Sequence, residues 1–90
     1  MVPHDAVAAK LALIHSEVSE ALECVRDGHY EAYESETRPG KPEGLPSELA
    51  DIVIRVADLA GALGIDLESA IVTKMAYNAT RQHRHGGRNL

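Results

Sequence analysis

Apolar residues recur at spacings of three and four through the first quarter of the chain: Val7, Leu11, Ile14, Val18, Leu22 and Val25. That period puts them on one stripe of a helix. The helix is predicted to run from about Asp5, as its N-cap, to Arg26, with Gly28 as the stop. Leu13, Glu17, Glu20 and Cys24 fall on a second stripe, so the two acids stand between apolar neighbours and not on a uniformly wet face. From Asp27 to Leu45 the pattern fails. Gly28, Pro39, Gly40, Pro42 and Gly44 punctuate a polar stretch, which predicts a long loop with room for one helical turn at Tyr30–Glu34. Loops of that length in a compact domain tend to be functional or disordered, and this one joins two acidic motifs.

Periodicity resumes with Ser47 as N-cap behind Pro46 and stops at Gly64. Leu49, Ile52, Val53, Val56, Leu59, Ala60 and Leu63 form the face predicted to be buried, and Ile54 points off it, towards a second packing surface. A third helix is predicted to start after Asp66 and to continue to about Arg81. These three elements predict an all-α fold and, in 90 residues, a single domain spanning 1–90.

Composition changes that picture in one respect. Phe and Trp are absent and only three Tyr are present, so Ala and the aliphatic residues must supply a core that is small in any chain of this length. A helical unit of that kind is expected to complete its core by pairing with copies of itself. The formal net charge of -5 argues against a nucleic acid polymer as partner. The basic run from Arg81 to Arg88 could meet a small phosphorylated ligand or be a solvated terminus. One cysteine, Cys24, excludes an intrachain disulfide and fits a reducing cytoplasm. No stretch resembles a signal peptide or a membrane span, so no membrane partner is expected.

The chemistry lies in two acid pairs, Glu17/Glu20 and Glu48/Asp51, each three residues apart on a predicted helix. Residues at i and i+3 share one side of a helix. Four carboxylates converging from two helices repel one another unless a cation lies between them. Oxygen-only ligands suit a hard divalent ion, and Mg²⁺ suits a site that also holds phosphates. Lys74, Asn78 and Arg81 share one side of the third helix, and metal-binding acids with phosphate-binding cations make the two halves of a polyphosphate site. A single ExxE or ExxD pair is weak evidence, because most such pairs are solvated faces. Asp58 is expected to pair with Arg55. Tyr30 and Tyr33 could stack on a base from the loop, Tyr77 is expected to pack, His15 is expected to be a surface or packing residue and not a catalytic one, and His83 and His85 carry no zinc-site spacing.

ExxE, 27 intervening residues and ExxD, followed by KPEGLPSELADIVIRVADLAGALGIDL and KMAYNATRQHRHGG, resemble the MazG-like all-α nucleoside triphosphate pyrophosphohydrolases, in a small single-domain branch. The resemblance extends from about Leu11 to Gly87. It implies a helical bundle completed by dimerisation, as a homodimer or as a dimer of dimers (a homotetramer). It also implies Mg²⁺-dependent cleavage of a nucleoside triphosphate between the α- and β-phosphates, giving a nucleoside monophosphate and pyrophosphate. By position, Glu17, Glu20, Glu48 and Asp51 match the metal-binding acids, with Glu17 or Glu48 as the group that activates water. Lys74 and Asn78 match a KxxxN pattern that faces substrate, and Arg81 follows it. Many members begin the first motif with two adjacent acids, where this chain has Ser16. The alternative is a catalytically silent helical module that binds a nucleotide or a protein.

Overall fold

The computed structural model describes residues 2–84, with side chains through Arg81. The chain is mainly helical: α1 spans His4–Arg26, α2 Leu45–Leu63 and α3 Leu67–Arg84. A two-stranded ribbon, β1 Tyr33–Glu34 and β2 Pro42–Glu43, lies between α1 and α2. The all-α expectation holds for the body of the chain. No helix among the described residues is long and apolar enough to cross a membrane.

The segment between the first two helices is an antiparallel hairpin and not a structureless loop, and Tyr33–Glu34 is strand where a helical turn was expected. Its tip explains why. Lys41 N donates to Arg38 O at 3.0 Å, and Gly40 between them has φ 83°. That is a type II turn, with Pro39 fixing the first central residue and glycine tolerating the second. Ser35, buried, accepts hydrogen bonds at Oγ from the backbone N–H groups of Thr37 and Arg38. The ribbon is tied to both helices: His29 N donates to Cys24 O at 2.8 Å, and Leu45 N donates to His29 O at 2.9 Å.

Helix ends follow the sequence in part. Asp66 caps α3, its Oδ1 accepting from Ser69 N at 3.0 Å, and Gly64 closes α2 in the left-handed conformation with φ 68°. The other two expected caps are corrected. α1 begins at His4 behind Pro3, so Asp5 lies in the first turn, where its charge favours the helix dipole. α2 begins at Leu45 behind Gly44, with Pro46 in its first turn. Ser47 instead donates its hydroxyl to Pro42 O at 3.2 Å, fastening the helix to β2.

α1 and α2 pack antiparallel, as the pairing of Lys10 with Asp58 and of Glu17 with Arg55 shows. Ala21 and Ala60 are the buried apolar side chains among the described residues, and small residues of this kind let two helix backbones approach. The stripes predicted to be buried are only partly covered within one chain. Ile14, Ile52, Val56 and Leu59 are half-buried, whereas Leu11, Leu22, Leu49 and Val53 are exposed, Val53 at 66%. α3 builds no packed interface with α1 or α2, and every residue from Glu68 to Arg81 is exposed.

Candidate metal centre

The α1–α2 seam brings acids from both predicted motifs together. Glu17, Glu48 and Asp51 each offer one carboxylate oxygen, and those oxygens lie within 4.8 Å of one another. The placement follows from the helices: Glu17 projects from the middle of α1, while Glu48 and Asp51 project one turn apart from the start of α2. Glu20 is exposed and stands outside this group of three, although it lies close enough to act on Glu48 electrostatically.

Glu48 is the most perturbed member. Its Oε2 is shut off from water and has no hydrogen-bond partner among the described residues. Burial pushes its carboxyl above the ordinary carboxylate range. The charges of Glu20, Glu17 and Asp51 push it further, as does the Glu17 carboxyl with which it can share a proton. A buried acceptor without a donor costs free energy. A hard divalent cation would satisfy that oxygen and relieve the repulsion, and a set made only of carboxylate oxygens suits Mg²⁺ or a similar ion. The residues present fit the group.

A protein cation also reaches this cluster. Arg55 donates from Nε to Glu17 Oε1 at 3.0 Å across the seam. Asp58, expected to pair with Arg55, instead accepts from Lys10 Nζ at 2.7 Å, and that bond holds the Asp58 carboxyl below its usual range. Spacing within a single helix favoured the local pair, and the packing of two helices supplied a different partner to each residue. Lys10 and the Arg55–Glu17 pair had no sequence signal, because both depend on the register between α1 and α2.

The α3 residues are not brought to the carboxylates within one chain. Lys74, Asn78 and Arg81 lie on the exposed length of α3. Lys74 Nζ stands 5.2 Å and Arg81 Cζ 5.7 Å from the centroid of the Tyr77 ring, so the tyrosine expected to pack is exposed and flanked by two cations. The side chains of residues 82–84 and all of the basic run beyond them, including His83 and His85 of the sequence reading, lie outside the described residues.

A cavity of about 440 Å³ adjoins the carboxylate group, with Ser16, Glu20, Cys24, Tyr33, Glu43 and Glu48 among its lining residues. Tyr33, one of the two ring candidates from the loop, therefore reaches the site, while Tyr30 is exposed and does not line this cavity. Glu43 carried no signal as a lone residue. The Pro-Gly pair at 39–40 could have revealed it, because a turn there pairs the flanking segments and sets Tyr33 opposite Glu43. Comparison with protein-family models, curated proteins and solved structures finds no match for this chain.

Proposed function

We propose that this chain is a MazG-like, Mg²⁺-dependent nucleoside triphosphate pyrophosphohydrolase. The observation that carries the reading is the convergence of Glu17, Glu48 and Asp51 from two helices, with a buried Glu48 oxygen, Oε2, that has no partner among the described residues. Glu17, Glu48 and Asp51 would hold the ion, with Glu20 beside them to complete the four acids that the resemblance implies. Bound there, Mg²⁺ supplies charge withdrawal from phosphate oxygens.

The chain's own groups account for the rest. Glu17 or Glu48 would position or deprotonate the attacking water. Water adds across the α–β anhydride, and the bond that breaks releases a nucleoside monophosphate and pyrophosphate. Lys74 and Arg81 neutralise the outer phosphates, and Asn78 orients a phosphate or the sugar.

The reading includes a homo-oligomer, a homodimer or homotetramer, in which a second copy covers the apolar surface left open on α1, α2 and α3. Leu11, Val18, Val53, Ile54, Val72 and Met75 are all exposed in one chain. Covering a side chain of this size stabilises by about 1.5–3 kcal/mol. Packing α3 against a carboxylate group is also what would bring Lys74, Asn78 and Arg81 to substrate.

The deciding experiment is pyrophosphate release from a panel of ribo- and deoxynucleoside triphosphates, with Mg²⁺ and with EDTA. Metal-dependent turnover that is lost in Glu48→Gln supports the enzyme. No turnover across the panel, from a folded oligomer that binds Mg²⁺, sinks it. Ser16 favours a second reading, a silent nucleotide- or protein-binding module. It lines the cavity at the position where many members of the resembled family carry a further acid, and a hydroxyl cannot serve as a charged ligand.

A further inference from the structure

The wall of the cavity beside Glu48 contains more than a metal site requires. Tyr33 and Glu43 are register partners across the hairpin. Directly opposed residues of a ribbon project to the same face, so an aromatic ring and a carboxylate stand side by side. The ring is held: His29 meets it edge-on with centroids 5.0 Å apart, and the tyrosine hydroxyl lies 3.2 Å from His29 Nδ1. The backbone beneath is specified too. Gly44, next to Glu43, has φ 102°, and a Cβ there would strike the Glu31 carbonyl. At about 440 Å³ the space is of the size that small-ligand sites occupy.

The polarity of the wall is one-sided. Glu20, Glu23, Asp27, Glu43 and Glu48 line it, and the one cation among its described lining residues, Arg26, is engaged by Glu23 at 2.9 Å. Such a wall repels phosphate, so a nucleotide bound at the metal centre would present its uncharged end to the cavity. Partial desolvation first and neighbouring charges second push the Tyr33 phenol and the Cys24 thiol above their ordinary ranges. Tyr33 therefore offers an uncharged face for stacking. Glu43 accepts from Lys41 Nζ at Oε1, 3.2 Å away, and an ionised carboxylate has acceptor capacity beyond one such bond.

We propose that this cavity is the base subsite of the proposed nucleotide site, and that Tyr33 and Glu43 select bases carrying an exocyclic amino group over uracil and thymine. The inference rests on the nucleotide reading given above. An amino group of cytosine, adenine or guanine donates to Glu43 while the ring stacks on Tyr33. A keto oxygen in the same place sets its lone pairs against a carboxylate and brings it no donor. Discrimination of this kind, by an acceptor placed where one competitor carries an amino donor and the other a keto oxygen, exceeds what shape alone provides.

The test is equilibrium binding of the α,β-methylene analogues of CTP and UTP to the full chain in Mg²⁺, for wild type and Glu43→Gln. The CTP analogue is expected to bind wild type about tenfold more tightly, as one charge-assisted hydrogen bond implies. In Glu43→Gln the ratio is expected to fall towards one, because an amide can turn either its donor or its acceptor to the base. Circular dichroism melting checks that the variant folds, and the wild-type ratio alone decides the matter if it does not. Equal binding or a UTP preference in wild type overturns the base assignment and leaves the nucleotide reading standing, as does a ratio unchanged by Glu43→Gln. Binding of neither analogue, by protein that binds Mg²⁺, overturns both.

Discussion

Arg55 Nε and Glu17 Oε1 lie 3.0 Å apart across the α1–α2 seam, so a guanidinium already partners one of the three converging carboxylates. Arg55 neutralises part of a cluster that would otherwise hold three like charges within 4.8 Å. Its side chain is 40% exposed and that of Glu17 15%, so solvent screens the pair only in part. Arg55→Gln is expected to cost about 1 kcal/mol, the upper part of the range for exposed pairs. Thermal melts with and without Mg²⁺ check its origin. Saturating Mg²⁺ should narrow the gap between variant and wild type if the loss is uncompensated acid repulsion. A gap indifferent to Mg²⁺ would make Arg55 a packing residue with no bearing on the cluster.

Glu48→Gln separates activity from stability. Burial and three neighbouring acids disfavour the Glu48 carboxylate, so its ionised form costs the fold free energy near neutral pH. Replacing it with a neutral amide removes that cost and also removes one carboxylate oxygen of the proposed metal centre. The variant should melt at or above the wild-type temperature in EDTA, gain less from Mg²⁺, and release no pyrophosphate. A variant that melts well below wild type in EDTA would show that the carboxylate itself holds the seam together.

The same residue sets a pH dependence. A carboxyl whose folded-state pKa is raised contributes stability below its ordinary range, and that contribution is lost as pH rises through the raised value. Metal binding requires the ionised form, so proton and metal compete. Apparent Mg²⁺ affinity should weaken as pH falls through the raised range of Glu48, and binding near that range should release protons. Calorimetry in two buffers of different ionisation enthalpy reads the proton count directly. Affinity that is flat with pH would remove Glu48 from the ligand set.

Much of the helical frame was legible in the chain, because apolar residues at three and four, Asp66 as a cap and Gly64 as a left-handed stop are local signals. The acids converged as far as their helices dictated: Glu17, Glu48 and Asp51 met, while Glu20 faces the adjoining cavity. Long-range pairings were not legible. Arg55 has Asp58 within one turn of its own helix, yet packing against α1 gives it Glu17 and gives Asp58 to Lys10. The hairpin was legible in principle from Pro39-Gly40, but its strands are two residues long and show no alternation to read. Which apolar stripes are covered also escaped the sequence, since periodicity marks a face and not what packs on it.

Gly44 is the backbone position on which the cavity wall formed by Tyr33 and Glu43 depends. Its φ of 102° and ψ of 173° lie in a region that only glycine occupies freely, and a methyl group there meets the Glu31 carbonyl. Gly44→Ala is expected to lose about 1–3 kcal/mol. Denaturant unfolding measures the loss. Gly61→Ala, within α2 and with open space around it, serves as the control and should gain slightly in helix propensity. Equal behaviour of the two variants would mean that the junction between β2 and α2 adjusts without strain.

The apolar surface supplies the sharpest test of self-association. Val53 on α2 and Met75 on α3 are 66% and 65% exposed in one chain. If the protein works as a single copy, Val53→Glu and Met75→Glu are surface substitutions and should change stability by no more than about 0.5 kcal/mol. If a second copy covers them, each places a charge in an apolar interface and costs several kcal/mol of assembly. Light scattering at micromolar concentration, paired with thermal melts, distinguishes these cases. Oligomeric wild type with monomeric or unfolded variants supports the assembled form. Monomeric wild type, melting as the variants do, would leave α3 without a covering partner and would remove Lys74, Asn78 and Arg81 from the proposed substrate site.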